Sequence, residues 1–315
     1  MNNYEEENPP SYSMDEILDK IRQFDNNMKN EDIKFIYHGS YNVYLLKDKF
    51  ILKVPDKILI QMFREEFIFN EVNKLHFLKK KLSFPIPDPI FTSEIPSDPF
   101  FVYESLPGVS LSKVFKTIPE QYKHRLALNI GEIVSEIHSL GKNYRNLYTT
   151  LNLSLNFNQY LDSINMLLNR SRKKVYKLLS QQEINWIETL FEEFNVSINK
   201  SVFEFVTTHN DFDSSNILVN PNNQYEITGI IDFEEFGLGD PTVDLLFQDE
   251  GLNFHKAVLN NYSGNKDDGF RFRIDFHKKK ACLYYILTGL DYSLPKMVEY
   301  GKKMLQRRMK RYNYD

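Results

Sequence analysis

The sequence predicts an α+β chain in two lobes, a small one built on an antiparallel sheet and a larger, mainly helical one. Three observations lead there. Short β-rich segments separated by turn residues fill the stretch between residues 34 and 54, and two more precede residue 104. After Leu111 the apolar residues recur at helical spacing almost to the end of the chain. Inside that helical half lies one hydrophobic hairpin flanked by acidic and amide side chains, VTTHNDFDSSNILVNPNNQYEITGIIDFEEFGLGDPTVD, from Val206 to Asp244. A chain of 315 residues is too long for one small core and about right for two. The expected division is 1–104 and 105–315.

The elements follow in order. Residues 1–12 are polar and acidic and are expected to be disordered or loosely attached. Ser13 and Glu16 have capping-box spacing, and Ile17, Leu18 and Ile21 then form an apolar stripe. Strands are expected at Lys34–His38, Asn42–Leu46 and Phe50–Val54, followed by a helix from Phe63 to Leu78. Pro85–Pro89 reads as an extended connector, and Ile90–Thr92 and Phe100–Tyr103 as strands. Glu104–Gly108 reads as a chain reversal and a hinge between lobes. Pro119 opens a helix that carries Leu126, Ile130, Ile133, Val134 and Ile137 and ends near Gly141. Further helices are expected at Tyr160–Leu168, at Glu183–Phe194, and over residues 252–262 and 275–311. Asp240–Asp244 reads as a helix start, with Asp244 a cap or loop anchor, and the basic run KKMLQRRMKR reads as a solvated helix end.

Composition limits the function classes. Hydrophobic residues make up 42% of the chain, with 19 Tyr and 25 Phe, and the formal net charge is −4. No strongly basic face is evident, which argues against nucleic acid as a partner. Cys282 is the single cysteine, so no intramolecular disulfide forms, and a reducing cytoplasm is the expected compartment. The beginning of the chain is unlike a signal peptide, and no stretch of about 18 apolar residues suggests a membrane span. A monomer is expected.

The central stretch carries the chemistry. Asp211 follows a β-rich run, Asn216 stands five positions later at the start of Ile217-Leu218-Val219, and the run Glu226–Ile231 delivers Asp232. A strand, a loop and a hairpin would bring the three to one edge. Phosphoryl transfer needs such a set: one carboxylate to orient the attacking hydroxyl and accept its proton, and an amide oxygen and a second carboxylate to hold Mg2+. The alternative is a polar turn whose Asp and Asn cap backbone groups. Gly39-Ser40-Tyr41-Asn42 is short enough to lie over phosphates, although one glycine in a hairpin is commonly a turn and no more. Lys53 sits mid-strand among apolar neighbours in ILKVP, so its ammonium must reach either solvent at a rim or a partner. Glu71 is the expected partner, with Glu65 and Glu66 next. Such a pair would set the ammonium on the nucleotide phosphates.

These pieces resemble the aminoglycoside phosphotransferase family, within the protein-kinase-like fold, over roughly residues 33–311. The resemblance rests on HNDFDSSNILVN, IIDFEEFGLGDP, FNEVNKL followed by FPIPDPIFT, and ILKVP. They are more similar to the aminoglycoside 2″-phosphotransferase branch than to the choline or fructosamine kinases. The resemblance implies that Asp211 is the catalytic base and that Asn216 and Asp232 are the magnesium ligands. It makes Lys53 and Glu71 the phosphate-binding pair and puts Ser40 in the phosphate-covering loop. It makes Glu104, Ser105 and Leu106 the hinge that meets the purine, with Tyr103 limiting the depth behind it. A bulky residue at Tyr103 implies use of GTP, with ATP the other donor. An aminoglycoside is a polycation, so its site needs carboxylates near the base; Asp213, Glu234, Glu235, Asp249 and Glu250 are the candidates. The Asp249-Glu250 run is shorter than the branch's, and Tyr284–Tyr292 is more apolar than a strong aminoglycoside binder implies. A kinase of the same fold acting on an amino alcohol, sugar or macrolide is therefore the alternative, and a non-catalytic nucleotide-binding protein the lesser one. A protein kinase fits poorly, because Gly239-Asp240-Pro241 follows Asp232 too soon for an activation segment.

Overall fold

The computed structural model describes residues 8–58, 60, 66–95, 97–198 and 202–311. In chain order its main elements are α1 (Met14–Ile21), β1 (Ile33–His38), β2 (Tyr41–Leu46), β3 (Phe50–Pro55), α2 (Glu66–Leu78), β4 (Pro89–Thr92), β5 (Phe101–Glu104) and β6 (Val109–Ser110). They continue with α3 (Glu120–Asn143), α4 (Phe157–Lys174), α5 (Gln181–Ile198), β7 (Val206–Thr208), β8 (Ile217–Asn220), β9 (Glu226–Ile230) and β10 (Gly237–Gly239). The chain ends with α6 (Leu252–Asn261), α7 (Phe270–Asp291) and α8 (Pro295–Arg311). The expected helix start at Phe63, and Glu65 with it, lies outside the described residues.

The chain forms two compact units. One comprises Met1–Leu126 and Ser214–Phe236, the other Ala127–Asp213 and Gly237–Asp315. The first holds a five-stranded antiparallel sheet in the order β1-β2-β3-β5-β4. Alternation along β3 sets its two faces. Leu52 and Val54 pack with Ile17 and Ile21 of α1, Phe100 and Val102, whereas Lys53 between them faces the other way. The Ser13–Glu16 capping box starts α1: Glu16 N donates to Ser13 Oγ at 3.3 Å and Ser13 N to Glu16 Oε2 at 2.7 Å. A second sheet in the same unit, β6-β8-β9, carries the expected hairpin in the register Ile217 to Ile230. Gly108 allows the chain to turn into β6. Its φ is 111°, and a Cβ there would stand 2.6 Å from both Thr228 Oγ1 and the Val219 carbonyl oxygen.

The second unit pairs β7 with β10 and surrounds them with helices. Its core joins Ile187, Phe191 and Phe194 of α5 to Phe276 and Leu283 of α7 and Leu305 of α8. Among the described residues no helix is long and apolar enough to cross a membrane.

Two expectations change. Residues 8–12 are not loose. Asn8 Nδ2 donates to the His38 carbonyl at 3.1 Å, Ser11 N to Asn42 Oδ1 at 2.8 Å, and Tyr12 OH to the Pro55 carbonyl at 2.9 Å. Polar composition suggested a solvated tail, but the Asn8 and Tyr12 side chains satisfy backbone carbonyls of β1 and β3, the Asn42 side chain satisfies the Ser11 N–H, and the Tyr12 ring enters the core. The basic run at the end is not simply solvated either. Arg308 is buried and its Nη1 donates to the carbonyls of Lys278 and Lys279 of α7. Tyr12→Phe removes one buried hydrogen bond and leaves a carbonyl behind. It is expected to lower stability by about 1 kcal/mol in urea unfolding, and an unchanged midpoint would show that residues 8–12 carry no load.

Candidate active site

The first unit brings together three of the expected residues. β3 projects Lys53 and α2 projects Glu71. The Lys53 Nζ donates to Glu71 Oε1 at 2.9 Å, to Glu71 Oε2 at 3.1 Å and to Asp232 Oδ1 at 2.9 Å. Lys53 is 4% exposed and Glu71 2%. Burial alone would strip the proton from Lys53, but Asp232 and Glu71 outweigh it and hold the ammonium well above the usual lysine range. Burial pushes the Glu71 carboxyl up, yet both of its oxygens accept from the one ammonium, so the pair stays ionised. The Tyr41 ring lies 4.1 Å from the same ammonium and the Phe101 ring 5.7 Å, adding cation–π attraction. Glu71 is the expected partner whose carboxylate the structure places on Lys53, and the side chain of Glu66, the runner-up, lies outside the described residues.

Asp232 follows β9, and Asn216 precedes β8. The Ile231 N–H donates to the Asn216 carbonyl at 3.0 Å, so the two residues stand at the open end of the hairpin. Asp232 has φ 70°, a left-handed conformation that Asp and Asn tolerate better than most. Lys74, on α2 three residues beyond Glu71, donates from Nζ to the Glu234 carbonyl at 2.6 Å. Glu234 Oε2 is buried without a hydrogen-bond partner, and burial together with the nearby Asp232 charge raises its carboxyl well above the ordinary range. Glu235 is exposed.

The remaining first-unit candidates border the same sheets. Ser40 stands in the β1–β2 turn, where its carbonyl accepts from Asp56 N at 2.9 Å. Tyr103 is buried opposite Ile51 with its ring centroid 5.9 Å from that of Phe101, and burial raises its hydroxyl above the usual tyrosine range. Glu104 is exposed and pairs with Lys49 at 3.4 Å, and Ser105 N donates to the Lys49 carbonyl at 2.8 Å. Leu106 packs over Gly229 of β9, where a Cβ would stand 2.6 Å from its Cδ1.

Mg2+ fits this donor set by chemistry. Among the described residues no three His, Cys, Asp or Glu side chains form a ready cage. Magnesium bound with nucleotide phosphates needs only one or two protein carboxylates and keeps its waters. Asp232, the Asn216 amide and the unsatisfied Glu234 oxygen are hard oxygen donors of that kind.

Asp211 belongs to the second unit, on the loop after β7. Asp244 fixes that loop: its Oδ2 accepts from His209 N at 2.7 Å and its Oδ1 from Asn210 N at 2.9 Å, and Asn210 has φ 67°. His138 Nε2 donates to Asp244 Oδ2 at 3.1 Å, and its Nδ1 lies 2.8 Å from the Tyr262 hydroxyl. Asp240, one turn earlier, accepts from Arg273 Nε at 2.9 Å, His277 Nε2 at 3.1 Å, the Tyr160 hydroxyl at 3.1 Å and Thr242 Oγ1 at 2.8 Å. Burial alone would raise the Asp240 carboxyl, but the His277 hydrogen bond and the Arg273 charge hold it below the ordinary carboxylate range. Asp213 and Asp249 also lie in this unit, both near enough to Tyr300 to raise its hydroxyl after burial has done so first. Asp249 is not free to make a purely acidic wall. Lys278 lies 3.1 Å from its Oδ1, and Glu250 also acts on that lysine. The expected acidic residues are thus divided, Glu234 and Glu235 in one unit and Asp213, Asp249 and Glu250 in the other.

Sequence reasoning missed Lys74 and His138. The spacing of Lys74 from Glu71 on one helix face was the available signal; His138 sits on an apolar helix stripe and offered none. Because the folded Asp240 carboxyl lies below its unfolded value, its stabilising contribution is complete above about pH 4 and is lost as the pH falls further. Asp240→Asn is expected to flatten the acid limb of stability against pH, read by thermal unfolding between about pH 6 and pH 2; parallel limbs for the two proteins would contradict this.

Comparison with known proteins identifies the family and the fold. The sequence pattern of the phosphotransferase enzyme family, APH, matches residues 32–248. No curated protein sequence gave a significant match. Among solved structures, the GDP complex of wild-type aminoglycoside 2′-phosphotransferase-IIIa superposes with a TM-score of 0.81 at 18% identity, covering 96% of this chain and 100% of that one. The GDP and kanamycin complex of APH(2″)-IIIa gives 0.80 at 18%, covering 94% and 98%. Macrolide 2′-phosphotransferase type I gives 0.66 at 15%, covering 92% and 96%. The fold is that of these kinase-like enzymes, and the chain belongs to the phosphotransferase enzyme family.

Proposed function

We propose that the protein transfers the γ-phosphoryl group of a nucleoside triphosphate to a hydroxyl of a small acceptor. The Lys53–Glu71–Asp232 group carries this reading: a buried lysine held charged by two carboxylates, one buried on α2 and one half-buried at a hairpin end, suits nucleotide phosphates. Bound Mg2+ would neutralise phosphate charge, and Asn216 and Asp232 would hold it. Lys53 would donate to phosphate oxygens, Ser40 would cover them, and Tyr103 with Glu104, Ser105 and Leu106 would meet the base. Asp211 would orient the acceptor hydroxyl and take its proton as the hydroxyl oxygen bonds to the γ-phosphorus and the bond to the leaving nucleoside diphosphate breaks.

Aminoglycosides are the first acceptor class to test, since the structures this chain resembles include a kanamycin complex and a gentamicin complex. Their phosphorylation would make this an antibiotic-resistance enzyme. Asp213, Glu234, Glu235, Asp249 and Glu250 would receive the amines. A second reading, a small-metabolite acceptor of lower charge, is favoured by one observation: Lys278 already neutralises Asp249. For the donor, GTP is the proposal, on the bulk of the buried Tyr103; among the similar structures some hold GDP and others ATP or ADP.

Two assays test this. Magnesium-dependent nucleoside diphosphate release is expected with an aminoglycoside or a small hydroxylated amine, and Asp211→Asn is expected to lower kcat by roughly 10²–10⁴-fold with little change in nucleotide affinity. Wild-type turnover in that variant would remove the catalytic assignment. Parallel kinetics with GTP and ATP should favour GTP in kcat/KM, and a clear ATP advantage would sink the donor reading.

A further inference from the structure

Lys74 has no part in the chemistry above, yet it touches the turn that does. It follows Glu71 by three residues, so both side chains leave α2 on one face. Glu71 takes the Lys53 ammonium, while the Lys74 ammonium donates to the Glu234 carbonyl at 2.6 Å. That carbonyl lies in the turn that begins at Asp232, in left-handed backbone at φ 70°, and closes where Phe236 N donates to the Phe233 carbonyl at 3.1 Å. Phe233 and Phe236 are buried on either side. A left-handed aspartate is a conformation that surrounding structure has to hold. A charge-assisted bond to a carbonyl two residues on does so more strongly than a neutral one. Burial pulls the Lys74 ammonium below the usual lysine range, while Glu235, Glu71 and Glu234 oppose that shift; what ties it to the turn is the short bond to the Glu234 carbonyl.

We infer that Lys74 is a positioning residue for Asp232: it pins the 232–236 turn to the helix that carries Glu71, so that the carboxylate facing the metal and the carboxylate orienting Lys53 keep one fixed relation. This rests on the reading of Asp232 as a magnesium ligand. The neighbouring explanation, that Lys74 is only a partner for the exposed Glu235 carboxylate, makes a different prediction, because a pair with an exposed carboxylate leaves metal dependence alone.

The test uses the full chain and a non-hydrolysable triphosphate, with affinity measured calorimetrically in EDTA and across a magnesium titration. For Lys74→Met, affinity in EDTA should stay within about twofold of wild type, while the magnesium concentration giving half of the enhancement rises about tenfold, as for other groups that orient a metal ligand. Lys74→Arg should recover most of that loss. Should the methionine variant fold poorly in a thermal melt, Lys74→Gln, which keeps an N–H donor without the charge, is expected to show the same shift in smaller measure. Wild-type magnesium dependence in the folded variant overturns the inference, and so does an equal loss of affinity with and without the metal. No magnesium enhancement in the wild-type protein overturns the metal reading of Asp232 itself, a failure distinguishable from that of Lys74.

Discussion

A lysine buried to 4% exposure governs the first unit. An unpaired ammonium at that depth would be prohibitive, so anions have to come to it, and they come from far along the chain. β3 supplies Lys53, α2 supplies Glu71, and Asp232 arrives from the end of β9, with its Oδ1 at 2.9 Å. The segment 214–236 therefore belongs with the sheet that precedes it by more than a hundred residues, and the unit is discontinuous in sequence. Hairpin register decides where the last carboxylate falls, because Ile217 pairs with Ile230 and leaves Asn216 and Asp232 just beyond the paired rungs. A slip of one residue would turn that end over.

The second unit solves a related problem with one short turn. Pro241–Asp244 is a 3₁₀ turn capped by Asp240, whose Oδ1 accepts from Thr242 N at 3.0 Å. Its two carboxylates serve different clients. Asp240 gathers Arg273 and His277 of α7 and Tyr160 of α4, a fully bonded buried anion. Asp244 gathers backbone N–H groups of the loop that bears Asp211, and His138 of α3. Asp244 thus holds the loop through main-chain N–H groups just before Asp211.

Period and turn chemistry made the fold class readable. The strands expected at Lys34–His38, Asn42–Leu46 and Phe50–Val54 fall within a residue or so of β1, β2 and β3, and the hairpin after Asn216 pairs as its alternation implies. The Ser13–Glu16 cap was equally plain, because a capping box is local. What escaped was pairwise and remote. Lys278 with Asp249, Arg308 with the carbonyls of Lys278 and Lys279, and Tyr12 with Pro55 join residues about thirty to forty positions apart, for which no sequence periodicity exists. Composition misled in those cases, since a polar or basic run says how a segment meets water and nothing of which backbone group it can satisfy. At the candidate site the lysine and its carboxylates were legible as residue types in order, whereas Lys74 was one more charge on an amphipathic helix until its carbonyl partner was seen.

The left-handed backbone at Asn210 and Asp232 has a consequence for the genetics of this chain. Any L-residue other than Asn or Asp at these two places takes on backbone strain on the order of 1 kcal/mol in addition to losing its polar group. Alanine scanning would therefore overstate the worth of the Asp232 carboxylate by mixing it with a conformational penalty. Asparagine separates the charge from the geometry, and glycine separates the geometry from both. A library sorted for function would be expected to return a narrow alphabet at these positions even where the side chain touches no ligand.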